Sequence, residues 1–512
     1  MLQTNQLEEK LKQHFHYSTF RKGQREIIED VLARKDVLGI LPTGSGKSIC
    51  YQLPALLQEG TTIVVSPLIS LMIDQVKELK AMNIKRVVAL NSFVDPSTRR
   101  KIYQNLHQYK LIYVSPELLQ QNEILRHLKQ INVSLFVVDE AHCISQWGHE
   151  FRPDYLKLSN VIELLGNPPV LALSATATKL VQDDIVNSLN LPNVIKHIYP
   201  MDRNNIMLTV REVMDNHEKL EILQTILTDY KVPTIIYFSS RIAAEEVSQH
   251  LSKHLKSHRI SYYHGGMEAS DRVAIQQQFI NNQLDVICCT SAFGMGINKN
   301  DIRLVIHYHF PSQIESYIQE IGRAGRDGHS SLSMVLYSRT DAFLPKNMIE
   351  NELPSEEQLN FAVRVIKQYH ENNNGLPTDE NILPILNLNE IQWRFLRYQL
   401  EKHDIIKGNM FQVTKMNWER FLEYVNSIRK DRLVLKEDKL TEMIRWLNER
   451  RCLRKHLYKN FQESYSKPIE QCCSSCGFSL EKWQPIQNSS KQDIQLNWEK
   501  KLQKLLLHGE IG

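Results

Sequence analysis

Residues 39–48 read Gly39-Ile40-Leu41-Pro42-Thr43-Gly44-Ser45-Gly46-Lys47-Ser48 and follow from an apolar run, 36–40. A buried strand that ends in glycines and runs into a helix turns successive N–H groups toward one point, and the helix N-terminus faces that same point. The stretch therefore reads as a phosphate cradle. Thr43, Gly44, Ser45 and Gly46 form its backbone, Lys47 reaches the β- and γ-phosphates of ATP, and the Ser48 hydroxyl reaches Mg²⁺. Small residues with one lysine also make ordinary surface loops, so the reading needs a second piece of the same site.

Residues 135–142, Leu135-Phe136-Val137-Val138-Asp139-Glu140-Ala141-His142, supply it. Four apolar residues deliver two carboxylates to a strand end. Asp139 is there a hard oxygen ligand for the ion on Ser48. Glu140 faces the place where a base orients a water toward the γ-phosphate. Such a pair is otherwise a helix cap and a surface charge; downstream of a phosphate loop it implies ATP hydrolysis.

Before the loop, Leu7, Leu11 and Phe15 mark one helix face, and Ile27, Ile28, Val31 and Leu32 another. Between them Tyr17 offers a ring for stacking, and the Gln24 amide can pair with the N6 and N7 edge of adenine. Gln24 as a plain surface helix residue is the alternative.

After residue 60 short apolar runs alternate with helical stretches: 61–65, 87–90, 110–114, 135–138 and 170–173. Most lack strand alternation, as parallel strands covered on both faces do. A second unit of the same kind starts near 205, with runs at 206–210, 234–238, 260–263, 286–289, 304–308 and 333–337. The fold class is thus α/β, two tandem doubly wound parallel sheets, followed by a mostly helical C-terminal region. The second unit lacks a phosphate loop of its own, so it is expected to complete the first unit's site across a cleft. Gln319-Glu320-Ile321-Gly322-Arg323-Ala324-Gly325-Arg326-Asp327-Gly328 is its candidate contribution. Arg323 and Arg326, three apart, read as one helical face whose guanidinium groups meet charge developing on the γ-phosphoryl oxygens.

The 512 residues are 42% hydrophobic and 23% charged, with a net charge of +4. This suits three or four soluble domains of about 100–200 residues each, and any polyanion-binding surface must be local. No apolar stretch approaches the ~18 residues of a membrane span and no signal run opens the chain, so no membrane partner and a cytoplasmic location are expected. Cys50, Cys143, Cys288 and Cys289 fall in apolar or motif segments and read as buried thiols. Cys452, Cys472, Cys473 and Cys476 cluster near the C-terminus, which in a cytosolic protein points to a metal rather than a disulfide.

Taken in order, these motifs resemble the RecQ family of DNA helicases within superfamily 2, from residue 14 to about 338, and the resemblance implies that both sheets are RecA-like. The stretch His16-Tyr17, Phe20-Arg21 and Gln24 is similar to the family's adenine-recognition motif, so the resemblance implies nucleotide contacts from Tyr17, Arg21 and Gln24; most members have Gly where His16 stands. The phosphate loop, Asp139-Glu140-Ala141-His142, Ser174-Ala175-Thr176 and the 319–328 run, with Gln319, Arg323 and Arg326 as catalytic candidates, are shared across the superfamily. More specific is Cys143-Ile144-Ser145-Gln146-Trp147-Gly148-His149-Glu150-Phe151-Arg152-Pro153-Asp154-Tyr155, which looks like the family's aromatic-rich loop. Independently of any family, Trp147, Phe151 and Tyr155 recur every four residues, with His149 and Arg152 among them. Rings and an arginine directly behind an ion-binding strand can stack a DNA base and pass that contact to the ATP site. Packing into a core is the alternative and suits Tyr155 best.

The resemblance loosens after Tyr337. A helix around Lys439, Met443, Cys452, Leu457 and Phe461 looks like the family's zinc subdomain but arrives late, so 345–435 reads as an insertion relative to most members. Its helix, turn, helix and hairpin-like pair outline either a winged helix or a two-layer helical spacer. The family's Cys-x-x-Cys-x-x-Cys is reduced to Cys473-Ser474-Ser475-Cys476. Cys472 is the substitute fourth ligand and the weakest member, since its side chain should diverge from that of Cys473; Glu470, His456 or water are the replacements. The expected domains are 1–200, 201–343, 344–435, 436–482 (with a structural Zn²⁺) and 483–512. An amphipathic closing helix is expected through Ile494, Trp498 and Leu502, and the family's C-terminal accessory domain is expected to be missing.

The resemblance implies an ATP-driven helicase of 3′ to 5′ polarity that moves on single-stranded DNA and opens tailed or forked duplexes in recombination and repair. Single-stranded-DNA-binding protein and other repair proteins are the implied partners. The alternative is a nucleic-acid-stimulated remodelling ATPase on DNA or RNA that does not unwind. Intact Lys47, Asp139, Glu140 and Arg326 argue against a non-catalytic scaffold.

Overall fold

The computed structural model describes residues 4–91, 94–145, 152–294, 299–413, 415–462, 465 and 467–486. The chain forms two compact units. One comprises Met1–Phe310, Glu315–Tyr337 and Glu449–Gly512; the other comprises Pro311–Ile314 and Ser338–Asn448.

The larger unit contains both sheets. The first has β1 (Val37–Ile40), β2 (Thr61–Val65), β3 (Val87–Leu90), β4 (Leu111–Val114), β5 (Val133–Val138), β6 (Val170–Ser174) and β7 (Ile195–Ile198), in the order β3-β4-β2-β5-β6-β1-β7. Every pairing in it is parallel. β1, β2, β4, β5 and β6 are buried along their whole length, which explains their unbroken apolar runs. β7 alternates between half-buried and exposed residues at the sheet edge, and its Ile-Lys-His-Ile sequence carries no such run. Leu7, Leu11, Phe15, Ile27, Ile28 and Val31 pack from the N-terminal helices into the core beneath β1.

The second sheet has β8 (Ile206–Glu212), β9 (Thr234–Tyr237), β10 (Ile260–Tyr263), β11 (Val286–Cys289), β12 (Leu304–His307) and β13 (Ser331–Tyr337), in the order β10-β11-β9-β12-β13-β8. It too is parallel throughout. The chain returns to this lobe at its C-terminal end, where Leu208 of β8 forms a parallel bridge with Cys473.

The smaller unit is helical, with a hairpin of β14 (Ile406–Lys407) and β15 (Met410–Phe411) that turns at Gly408, φ 62°. Its helices include Glu356–Glu371, Asp379–Leu386 and Glu390–Lys402; Ser355 with Gln358, and Asn389 with Gln392, form capping boxes on the first and third. The hairpin follows these helices in the chain. The helix Trp418–Leu447 then runs unbroken through the boundary expected between 435 and 436. Among the described residues no helix is long and apolar enough to cross a membrane.

Candidate active site

The cradle lies at the C-terminal end of β1, with the carboxylate pair after β5 and Ser174 at the end of β6 between them, so three neighbouring strands aim their loops at one crevice. Gly44 and Gly46 have φ of 78° and 75°, the left-handed turns that bend the loop. Gln24 holds that loop. Its Nε2 donates to the carbonyls of Ser45 (2.8 Å) and Gly46 (2.9 Å), and its Oε1 accepts from the Arg21 backbone N–H at 2.9 Å. A trans peptide points its N–H away from its carbonyl, so both Gln24 bonds turn the N–H groups of Gly46 and Lys47 to the opposite side. In this structure the Gln24 amide, expected to read adenine, is engaged with the loop and with the Arg21 backbone. Arg21 donates to the Gly44 carbonyl, and the Tyr17 ring is half exposed.

Asp139 is buried at the end of β5. Burial pushes its carboxyl up to about 7, Glu140 adds to the rise, and the Lys47 charge opposes it. A carboxylate so placed calls for a cation. Glu140 adopts φ 47°, with Oε2 3.4 Å from His142 Nδ1, and His142 Nδ1 lies 3.0 Å from Ser174 Oγ. The buried Ser45 Oγ and Thr176 Oγ1 have no hydrogen-bond partner among the described residues. Orphaned hydroxyls, a turned phosphate loop and a carboxylate wanting a cation together fit ATP with Mg²⁺ at Ser48 and Asp139.

The second lobe closes on this crevice. Helix Ile314–Ile321 ends before the arginines, so Arg323 and Arg326 lie in the turn that follows and do not share a helical face. Gly322 and Gly325 (φ 54°) interrupt the helix there. The Arg326 stem lies against Gly44, where an added Cβ would come 2.9 Å from Arg326 Cγ. Burial, with Arg323 and Arg203 nearby, pulls its guanidinium down to about 9. Arg323 turns elsewhere, donating to the Gly294 carbonyl. Gln319 is buried in the last turn of the helix. Arg203, a residue no motif singled out, donates through Nη1 to the Thr43 carbonyl (3.1 Å) and through Nη2 to the carbonyls of Gly325 and Ala324. Several guanidinium groups around one loop repel each other unless a polyanion joins them.

Behind Asp139, Tyr155 is fully buried and its hydroxyl donates to the Asp139 carbonyl at 3.1 Å, the core position its spacing allowed. Arg152 is partly exposed, with Nη1 3.6 Å from Glu117. Trp147, His149 and Phe151 lie outside the described residues, as do Ile494, Trp498 and Leu502 of the expected closing helix.

The DEAD/DEAH box helicase family matches residues 21–184, and the helicase conserved C-terminal domain matches residues 218–328. Over 508 residues the chain is 41% identical to the probable ATP-dependent DNA helicase RecS of Bacillus subtilis (strain 168), covering 99% of both proteins. The chain belongs to the RecQ-like family of superfamily 2 helicases. The ATP-dependent DNA helicase RecQ of the same organism is 41% identical over 355 residues, which is 68% of this chain and 59% of that one. The region after the two lobes is therefore shared with RecS, even though it reads as an insertion beside other RecQ-like members. Among solved structures, Mycobacterium smegmatis Lhr bound to ssDNA and AMP-PNP aligns with a TM-score of 0.55 at 21% identity, over 66% of this chain and 48% of Lhr. The DEAD-box helicase Mss116 bound to ssRNA and UDP-BeF gives 0.56 at 17% identity, over 83% and 94%. Both share the two-lobed fold.

The RecQ-like cysteine cluster is complete in an unexpected way. The sulfurs of Cys452, Cys472, Cys473 and Cys476 all lie within 4.8 Å of one another, and Cys452 and Cys472 are 3.6 Å apart. A tetrahedral Zn–S bond of ~2.3 Å sets sulfurs about 3.8 Å apart, so the donor set fits one Zn²⁺. The Cys472 S–H and other neighbours pull the Cys473 thiol down, while Cys472 and Cys476 are pushed up. Cys472 is thus not the stray member. Its backbone is pinned by the Leu208 N–H, which donates to its carbonyl at 3.2 Å, and the turn Ser474–Cys476 folds back toward it. The substitutes are engaged elsewhere: Glu470 accepts from Ser330 Oγ, and His456 pairs with Glu449. Cys452 precedes the helix Leu453–Tyr458 as its N-cap and does not lie within it.

Proposed function

We propose that this chain is an ATP-dependent DNA helicase that couples ATP hydrolysis to 3′ to 5′ movement on single-stranded DNA and to duplex opening in recombination and repair. The observation that carries this reading is the pairing of the 39–48 loop with Arg326 and Arg203 from the opposite side of one crevice, in a chain matched along its whole length by RecS. ATP would lie on the loop, with Tyr17 and Arg21 at the base end and Thr43, Gly44, Ser45, Gly46 and Lys47 around its phosphates. Mg²⁺, when bound at Ser48 and Asp139, supplies charge neutralisation on the phosphate oxygens. Glu140 orients the attacking water, and Arg326 meets the charge that grows on the transferring phosphoryl group, with Gln319 and Arg323 supporting that turn. Trp147, His149, Phe151 and Arg152 form the DNA-sensing loop, whose signal reaches Asp139 through buried Tyr155. One structural Zn²⁺ would be held by the four cysteines. The proposal places the protein in the cytoplasm, with single-stranded-DNA-binding and repair proteins as partners.

Strand displacement on 3′-tailed, 5′-tailed and forked duplexes tests this, with Lys47→Ala as the inactive control. Opening of 3′-tailed and forked but not 5′-tailed DNA is expected. DNA-stimulated hydrolysis without displacement on any of the three would instead establish a remodelling ATPase. Trp147→Ala should bind nucleotide normally and lose DNA stimulation, because a stacked base contributes about 1–3 kcal/mol.

A further inference from the structure

The segment that joins the two lobes, 201–206, is gripped from the far end of the chain. Arg454, buried at 2% exposure, donates through Nη1 to the Asp202 carboxylate and to the Arg203 carbonyl (3.1 Å), and through Nη2 to the Ile206 carbonyl. Gln462 Oε1 accepts from the Asp202 N–H at 3.1 Å, and the buried Tyr458 hydroxyl meets the Arg203 backbone. Arg454 and Tyr458, four apart in the helix Leu453–Tyr458, share one face, and Gln462 reaches the same segment from beyond the turn that follows the helix. The same Arg454 guanidinium contacts the Cys472 thiol of the four-cysteine cluster.

Arg203 therefore has a fixed backbone and a free-reaching side chain with a defined target. Its guanidinium spans from the Thr43 carbonyl on the phosphate loop to the Gly325 and Ala324 carbonyls on the turn that carries Arg326. A strut of this kind sets the distance between that turn and the loop only as well as its own backbone is held. Arg454 makes three of the hydrogen bonds that hold it, one of them to the buried Asp202 carboxylate, and Gln462 and Tyr458 add theirs.

We infer that Arg454 is a positioning residue for ATP hydrolysis: it fixes the backbone of Arg203, Arg203 braces the phosphate loop against the Arg326 turn, and the four-cysteine cluster beside Arg454 is thereby coupled to the nucleotide site. The inference rests on the ATPase reading above. It gives the C-terminal subdomain a task in turnover beyond stability.

A double-mutant cycle tests it in the full-length protein. Arg203→Ala and Arg454→Ala should each lower kcat by about tenfold to a hundredfold, the range for ångström-scale misplacement of a reacting group, with a smaller change in KM for ATP. The double variant should be no slower than Arg203→Ala within twofold, because both remove the same strut. Arg454→Lys, which keeps the charge on Asp202 and loses the fork, should recover part of kcat. Losses that multiply in the double variant, or a folded Arg454→Ala with wild-type kcat and a lowered melting point, overturn the inference. If Arg454→Ala does not fold, Asp202→Asn replaces it in the same cycle with the same criterion. Absence of hydrolysis in the unmodified protein would instead refute the ATPase reading itself, so the two failures are distinguishable.

Discussion

Gly322 is pressed against Thr43 across the crevice: a Cβ at Gly322 would lie 1.7 Å from the Thr43 hydroxyl oxygen and 2.7 Å from its Cβ. The Thr43 hydroxyl could rotate away about χ1, but Thr43 Cβ is fixed by the phosphate-loop backbone and cannot retreat without moving the loop. Gly322→Ala is therefore expected to hold the lobes apart while each folds normally. Turnover should fall by about tenfold to a hundredfold with circular dichroism unchanged; wild-type turnover would show that the closed approach is not used in hydrolysis.

Glu140→Gln should bind ATP normally and turn over about 10²–10⁴-fold more slowly, the usual contribution of a positioned base. Glu140 reaches its place through a left-handed backbone at φ 47° and faces His142, so the amide can occupy the same position without taking a proton. Equilibrium binding of a fluorescent ATP analogue beside steady-state hydrolysis separates the two effects. Unchanged hydrolysis at saturating DNA would remove Glu140 from the mechanism.

Arg326→Ala should lower turnover by about 10²–10³-fold with little change in ATP affinity, because its charge matters most where the phosphoryl group gains charge. Arg323→Ala should be milder in turnover and show itself in DNA stimulation, since its guanidinium is bound to the Gly294 carbonyl in the loop after β11. Equal losses in both variants would argue that the two arginines act as one fork.

How far the sequence could be read follows from which features are local. The fully buried parallel strands announced themselves, since burial on both faces leaves no room for polar residues; β7, at an edge with alternate residues in solvent, did not. The phosphate loop and Asp139-Glu140 were legible because their chemistry needs fixed residues at fixed spacing. Arg203 was not, because its meaning comes from Thr43 and Gly325, far away in the chain. Arg323 and Arg326 have the i,i+3 spacing of a helix face, but the helix ends at Ile321, and Gly322 and Gly325 carry the chain into a turn. Cys472 is hidden in the sequence for a related reason: adjacent residues in an extended chain point apart, and its pairing to β8 is a long-range contact.

His16 shows a local cost that the sequence did flag. It follows the helix Thr4–Phe15 at φ 61°, with its N–H donating to the Lys12 carbonyl at 3.1 Å, the position where a helix favours glycine. A left-handed non-glycine residue costs about 1–2 kcal/mol, partly offset in a glycine variant by the greater entropy of its unfolded chain. His16→Gly is expected to stabilise the first lobe by about 0.5–1 kcal/mol with ATP turnover unchanged. Chemical denaturation followed at the first-lobe transition checks this, and a destabilised variant would mean that the imidazole makes a contact worth more than the strain.

The cysteine cluster yields the last prediction. Four sulfurs within 4.8 Å leave no open position for chemistry, so a bound ion would be structural and its binding energy would appear as folding energy. Protein purified without added zinc should contain close to one equivalent, and a background value in a folded, active sample would reject the site. Cys472→Ser and Cys476→Ser each remove one thiolate, yet they should differ. Cys476 is exposed at the outer turn, whereas Cys472 also touches Arg454, and the Leu208 N–H pins its backbone carbonyl. Both variants should lose metal and melt about 5 °C or more lower. Cys472→Ser should in addition lower kcat for ATP per folded molecule, while Cys476→Ser should act mainly on stability and solubility. Equal kcat values in the two variants, at equal metal loss, would show that the thiol beside Arg454 has no influence beyond holding the ion.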